Sequence, residues 1–239
     1  MNQQSRKKEV NHPQIVIDSV GKYVEHVLDN QRTQSDMIYR GHASVDWDLK
    51  PGIGRNNYSR ELEQKVFEQF KMKYYSYTSE RPLTDMDVMF LAQHYGLPTR
   101  LLDWSYNPMI ALYFACESHP EVDGCIYTVS LREFLVVDSE SDMNAPRTMK
   151  DIMSMKKPMY VVPNYTDERY KNQSALFLLC NKPEKKFTSV PLTYVIKKEA
   201  KEQIIKDLAL LGYDRTLVFP MLDSLCKDIK KRLGLEIND

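Results

Sequence analysis

This chain has no glycine-rich phosphate loop. Neither a GxGxxG run nor a GxxxxGK[ST] segment occurs, which removes the two common nucleotide-binding loops. Paired cysteines are missing as well. Cys116, Cys125, Cys180 and Cys226 stand far apart with no CxxC, so no zinc or dithiol redox motif is present. No apolar run approaches the length of a membrane-spanning helix, and the polar N-terminus lacks the apolar core of a signal peptide. The formal net charge is zero, so no global field steers the protein toward nucleic acid or an anionic membrane. These absences predict a soluble, cytoplasmic protein with reduced thiols, no metal and no membrane partner. There is also no internal repeat, low-complexity tract or obvious linker.

What remains is ordinary in bulk. A chain of 239 residues with 42% hydrophobic side chains can bury a substantial core. The unusual count is 15 tyrosines against 8 phenylalanines. Tyrosine suits half-buried clefts and stacking surfaces as well as cores.

Residues 1–13 read as a disordered lead, and 14–239 as a single domain. Asp18 or Ser19 can cap a first helix, on which Val20, Tyr23, Val24 and Val27 recur at helical spacing. Asp36–Gly41 reads as a short strand, and 59–77 as a long helix. Thr84 caps a helix that ends near Tyr95, before Gly96 and Pro98. Pro108 opens another that runs to about Ser118. Strand signals follow at 124–131, 159–163, 174–180 and 192–196, and helices at about 199–211 and 221–233 close the chain. The stretch 138–157 reads as a polar, mobile insertion. Strands gathered after helices, without strict alternation, predict an α+β fold.

Three constellations could carry chemistry. Tyr39-Arg40-Gly41 ends the first predicted strand. There a guanidinium could grip phosphate or carboxylate, and a glycine lets a ligand or a neighbouring backbone come close. The second is the segment from Gln93 to Ser105, read as a polar, proline-broken loop. It gathers His94, Thr99, Arg100, Asp103 and Ser105 between apolar residues. Arg100 and Asp103 could order it as a salt bridge. His94 could serve as a base, or sit at a helix C-terminus favoured by the dipole. A Ser105–His94–Asp103 triad can be written on paper, but no nucleophile elbow supports it. The third is the polar lead Arg169 to Gln173 into a buried strand.

Together these segments resemble the FRG domain family, named for a Phe-Arg-Gly signature that stands here as Tyr39-Arg40-Gly41. The block from Gln93 to Trp104, followed by Ala111 to Ala115, is the most distinctive match. Arg169 with Gln173, and Leu217 to Pro220 with Leu222 and Asp223, extend it. A second resemblance is to arginine-type ADP-ribosyltransferases. It implies a split β-sheet core with helices packed around it at the N- and C-terminal sides.

Carried over by residue, Arg40 would clamp NAD as a substrate, and Ser105 would take the serine-motif role. Gln173 would fall where a catalytic glutamate is expected. Glutamine cannot act as a base, which leaves Asp103 as a candidate carboxylate. Tyr39, Gly41, His94, Thr99, Arg100 and Tyr106 would line the cofactor site, and Tyr95 and Tyr113 are further stacking candidates. The resemblance implies an effector, a bacterial toxin or phage-defence protein, that modifies RNA, DNA or protein and is restrained by an antitoxin. The alternatives are a non-catalytic nucleotide- or peptide-binding module in the same cleft, and a hydrolase built on His94 and Asp103.

Overall fold

The computed structural model describes residues 14–34, 36–55, 58–79, 81–164, 168–188 and 192–233. The expected disordered lead at 1–13 lies outside them. Among these residues eight strands form one mixed sheet: β1 (Ile15–Ile17), β2 (Met37–His42), β3 (Leu101–Ser105), β4 (Gly124–Ser130), β5 (Val136–Asp138), β6 (Met159–Val162), β7 (Ala175–Leu179) and β8 (Leu192–Ile196). Their order is β1-β8-β4-β2-β3-β7-β6-β5. The pairs β1/β8 and β5/β6 are parallel and the others antiparallel. With the helices described below, this is the α+β class expected.

The helices begin where capping chemistry allows. Helix α1 (Val20–Thr33) starts at Ser19, whose hydroxyl accepts from the Lys22 amide at 3.4 Å. Helix α2 (Arg60–Lys73) starts at Ser59, and a 3₁₀ turn at Tyr74–Ser76 follows it. Helix α3 (Asp85–His94) has a full capping box between Thr84 and Asp87. Helix α4 (Pro108–Cys116) has Asn107 as cap and proline in its first turn. Helices α5 (Met149–Ser154), α6 (Glu168–Asn172), α7 (Lys198–Leu210), α8 (Arg215–Val218) and α9 (Leu222–Arg232) complete the set among the described residues. No helix among the described residues is long and apolar enough to cross a membrane.

The sheet is nearly severed in the middle. Strand β2 pairs with β4 over six residues, and β3 with β7 over five, but β2 and β3 meet at the single pair Tyr39–Ser105. The packing divides at the same line. On one face Met37, Tyr39, Ile126 and Tyr194 join residues of α1, α4 and α7 in one core. Leu101, Ala175, Phe177 and Leu179 join residues of α2, α3 and α5 in another. The opposite face is continuous, with Ile38, Leu102, Trp104, Tyr127 and Leu178 under loop residues such as Leu49. Two sheet halves, each with its own helical layer, share one loop-covered side.

Two expectations are corrected here. The segment 101–105, read as loop, is a central strand whose Leu101, Leu102, Trp104 and Ser105 are buried. The stretch 138–157, read as mobile, contains α5 with a Thr148–Asp151 capping box, and Ile152 and Ala145 lie in the core.

Gly41 serves the first half. A Cβ there would overlap the Ala111 carbonyl oxygen and lie 2.8 Å from the Ala115 amide nitrogen. Helix α4 therefore rests its backbone directly on β2, and the neighbour that this glycine admits is protein. Both colliding atoms are backbone and cannot swing aside. Gly41→Ala is expected to cost about 3 kcal/mol or more, the upper range of overpacking effects, as read from urea denaturation midpoints.

Candidate functional site

The opening between β2 and β3 is where the polar residues collect. Alternation along β2 puts Arg40 and His42 on the loop-covered face with Ile38. Alternation along β3 puts Asp103 on the helical face with Leu101, in the gap between the two helical cores. The Arg40 guanidinium lies across the opening. Its Nη1 donates to the Asp103 backbone carbonyl and sits 3.4 Å from Asp103 Oδ2. A β2 amide would fill this role if the sheet continued.

Arg40 Nε donates to His42 Nε2 at 3.0 Å. Nε2 is then the acceptor, so the ring is neutral and carries its proton on Nδ1. Burial pushes the His42 pKa down to about 3. The charges of Arg40 and Arg55 add to this, and a backbone contact at Trp47 opposes it only in part. The ring is 4% exposed and meets Tyr127 edge-on with centroids 5.3 Å apart. Burial also lowers the Arg40 pKa, Asp103 raises it and Arg55 lowers it again. A guanidinium remains charged under all these influences. The Arg40 Nη2 amino group has no protein partner among the described residues.

Asp103 is held from the other side by the end of α3. Gln93 Nε2 lies 3.1 and 3.2 Å from its two carboxylate oxygens, and Gln93 Oε1 accepts from Thr99 Oγ1 at 2.5 Å. The carboxylate is fixed in direction, yet its side chain is 51% exposed, against 12% for Arg40. A fixed cation with an unused amino group, beside a fixed and solvent-reachable carboxylate, can hold an anionic substrate and receive a proton. No group of three or more His, Cys, Asp or Glu side chains among the described residues is arranged to hold a metal.

The other expected residues fall elsewhere. Arg100 is 1% exposed, and Glu63 engages its Nε and Nη2 at 2.6 and 2.5 Å. Its Nη1 donates to the Cys180 carbonyl at 3.2 Å. This cation orders the core, and its partner is Glu63, not Asp103. Tyr39 and Tyr113 are buried in the first helical core, so neither offers a face for stacking. The Tyr39 hydroxyl accepts from Gln31 at 3.1 Å. Thr99 is buried and acts through Gln93. His94 ends α3 with its ring against Tyr95 and Tyr170, and its carbonyl accepts from Arg169 at 3.1 Å.

Ser105 and Gln173 form a latch. Ser105 Oγ donates to the Gln173 carbonyl at 2.6 Å and accepts from the Asn107 amide at 2.9 Å. Gln173 is 7% exposed, and its amide donates to the Val218 carbonyl at 2.9 Å. Tyr106 is 38% exposed, and its backbone N–H donates a hydrogen bond to the Ser174 carbonyl at 3.0 Å. With Ser105 Oγ turned to Gln173 and the Asp103 carboxylate to Gln93 and Arg40, no Ser105–His94–Asp103 triad is assembled.

His42 and Gln93 complete the cluster without having been singled out. For His42 the signal was available, because two residues beyond Arg40 on a strand is the same face.

Residues 35–124 match the family model of the FRG domain, a stretch that contains Arg40, His42, Gln93, Asp103 and Ser105 but not Gln173. No curated protein and no solved structure matches the chain.

Two outcomes follow from the buried groups. The unfolded chain protonates His42 below its ordinary pKa of 6.5, while the folded chain keeps it neutral down to about 3. Its contribution is therefore complete above pH 6.5 and shrinks as pH falls through that window. Wild type should lose stability more steeply than His42→Gln between pH 6.5 and 4, as read from urea midpoints at each pH. Glu63→Ala strands a buried cation and is expected to cost about 3–5 kcal/mol. The double substitution Glu63→Leu with Arg100→Met should recover most of that loss in the same denaturation assay.

Proposed function

We propose that this chain, which carries an FRG domain at residues 35–124, is an NAD-dependent ADP-ribosyltransferase-like effector acting on a macromolecule. One observation carries the reading. The Arg40 guanidinium spans the opening in the sheet with its Nη2 amino group unused, next to the half-exposed carboxylate of Asp103. The two N–H bonds of Nη2 diverge, so they could reach oxygens of two neighbouring phosphates, as the pyrophosphate of a dinucleotide offers, with charge-assisted hydrogen bonds. Neutral His42 holds the Nε edge, so the guanidinium plane is set before a ligand arrives.

The reaction needs little beyond orientation and charge. The nicotinamide–ribose bond breaks with its electron pair leaving on neutral nicotinamide, and the acceptor's nucleophile forms the new bond to the same ribose carbon. The acceptor's proton needs a base. Gln173 cannot supply one, and its amide is engaged by Val218. Asp103 is the carboxylate within reach of Arg40, and we assign it that role. Ser105 and Gln173 act as positioning residues that tie the end of β3 to the turn before β7 and to α8. A toxin or phage-defence role, with an antitoxin to restrain it, accords with an activity that consumes NAD.

One observation favours a second reading. Gln173 is buried and engaged where the resembling enzymes carry their glutamate, which suits a module that binds a nucleotide without transferring it.

The assay uses NAD labelled on its adenylate half, with total RNA, DNA and cell lysate as acceptors. Wild type should transfer label, and Arg40→Ala should lose both NAD binding and transfer. Asp103→Asn should keep binding but transfer at least about 100-fold more slowly, as expected on removing a general base. NAD binding by calorimetry with neither label transfer nor nicotinamide release would establish the second reading. Absence of binding would end both.

A further inference from the structure

In the helical layer beside β3, we infer a second ligand site, a cavity between α2 and α3 that takes an apolar monocarboxylic acid. Its volume is about 470 Å³, within the range of about 300–1,000 Å³ common for small-molecule pockets. None of Arg40, His42, Gln93 and Asp103 lines it, so the site stands apart from the transfer reading. Helix periodicity builds one wall, because Val66, Gln69, Phe70 and Lys73 occupy the i, i+3, i+4 and i+7 positions of α2. The facing wall is the end of α3. There Gly96 adopts φ +83°, and the Leu97 amide donates to the Ala92 carbonyl at 2.9 Å. This turn brings Leu97 back to line the cavity with Leu91.

Most of the lining is alkyl and ring surface, and the Phe70 and Tyr74 rings stack at 5.7 Å along one side. The rings serve as walls, so contacts among them close the cavity and take nothing from it. Its polar groups are few and of one kind. No Asp or Glu is among the lining residues, and Lys73 makes no ion pair among the described residues, so the cavity carries an unneutralised positive charge. Gln69 stands one turn before Lys73, and its amide makes no hydrogen bond among the described residues. Tyr74 is 3% exposed, and its hydroxyl finds no hydrogen-bond partner there either, since Tyr75 influences it without the geometry of a bond. A buried donor without an acceptor, in the wall of an open cavity, favours a ligand that brings one.

A carboxylate on an apolar body answers each of these features. Its oxygens accept from the Gln69 amide and meet the Lys73 charge, while its chain covers Val66, Leu91 and Leu97. A neutral molecule would leave the ammonium without a counterion, and a cation would be repelled by it. A polyanion such as a nucleotide would find a single cation above an apolar floor.

The test is titration calorimetry with octanoate, octanol and octylammonium, each below its micelle concentration and without NAD. Wild type should bind octanoate, with octanol about threefold weaker and octylammonium weaker still. Lys73→Glu replaces attraction by repulsion, and should weaken octanoate about fivefold or more and rank octylammonium above it. Val66→Trp fills the cavity and should weaken octanoate about tenfold or more. Lys73 is exposed, so its variant should keep the wild-type melting temperature and decides the matter if Val66→Trp fails to fold. Absence of octanoate binding, octanol bound as tightly as octanoate, or octanoate binding unchanged in either folded variant would overturn the inference. A wild-type dimer that Val66→Trp dissolves and octanoate leaves intact would give the cavity to a second copy, which overturns it as well. Because NAD takes no part, failure here leaves the transfer reading intact.

Discussion

The structure depends on how one sheet is held together across a line where its backbone ladder fails. Strands β2 and β3 share one residue pair, and beyond it their edges part. An open edge inside a protein leaves backbone groups in need of partners. Arg40 answers part of this need, since its guanidinium donates to the Asp103 carbonyl from the other side of the gap. A side chain in place of a ladder bond leaves room that a backbone amide would have closed. The opening, the fixed cation and the reachable carboxylate are thus consequences of one arrangement.

Each half carries its own buried cation. In the half with β3, Arg100 joins Glu63 of α2 to the Cys180 carbonyl just past β7. In the half with β2, Lys201 of α7 is 1% exposed and donates to the Ala43 and His119 carbonyls at 2.6 and 2.9 Å. Ala43 follows β2 and His119 follows α4, so one ammonium ties three elements. Burial lowers the Lys201 pKa, and its carbonyl partners answer the positive charge without a carboxylate. Arg100 takes the other solution, a carboxylate held on two of its nitrogens, as a buried guanidinium requires. Neither cation touches the opening. The charges that stabilise the halves are separate from the ones that face a ligand.

Much of this was legible in the sequence, and the failures have physical reasons. Strands β2, β4, β6, β7 and β8 fell within a residue or two of their apolar runs, and Thr84 and Pro108 marked α3 and α4. Strand β3 was missed because Pro98 on one side and Asn107-Pro108 on the other frame it as a loop, and Asp103 interrupts its apolar run. Helix α5 was missed although Thr148 and Asp151 stand at capping-box spacing, because the polar residues around it dominated the reading. The pairing of Arg100 with Glu63 spans 37 positions, and nothing local announces a contact at that range. Asp103 was the nearest carboxylate in sequence, and nearness in sequence chose wrongly. Arg40 and Asp103 could be nominated as residues, but not as partners, for the same reason.

The position of Asp103 explains why a carboxylate can occupy a central strand. A helix-facing side chain in mid-sheet normally meets a helical layer and must be apolar. Here the two helical cores part at the β2/β3 line, and the position facing that gap has solvent above it. Leu101 on the same face packs into the second core, while Asp103, two residues on, is half exposed. The polar residue falls where the packing has already divided. A shift of one residue would turn Asp103 to the loop-covered face beside Ile38, Tyr127 and Leu178, where an ionised carboxylate would lose its water. Register and chemistry therefore constrain each other. The single Tyr39–Ser105 pair sets which side chain faces the gap, and the Ser105 hydroxyl, bonded to the Gln173 carbonyl, fixes the end of β3 that makes that pair. The latch residues act on the opening by holding its one hinge in register.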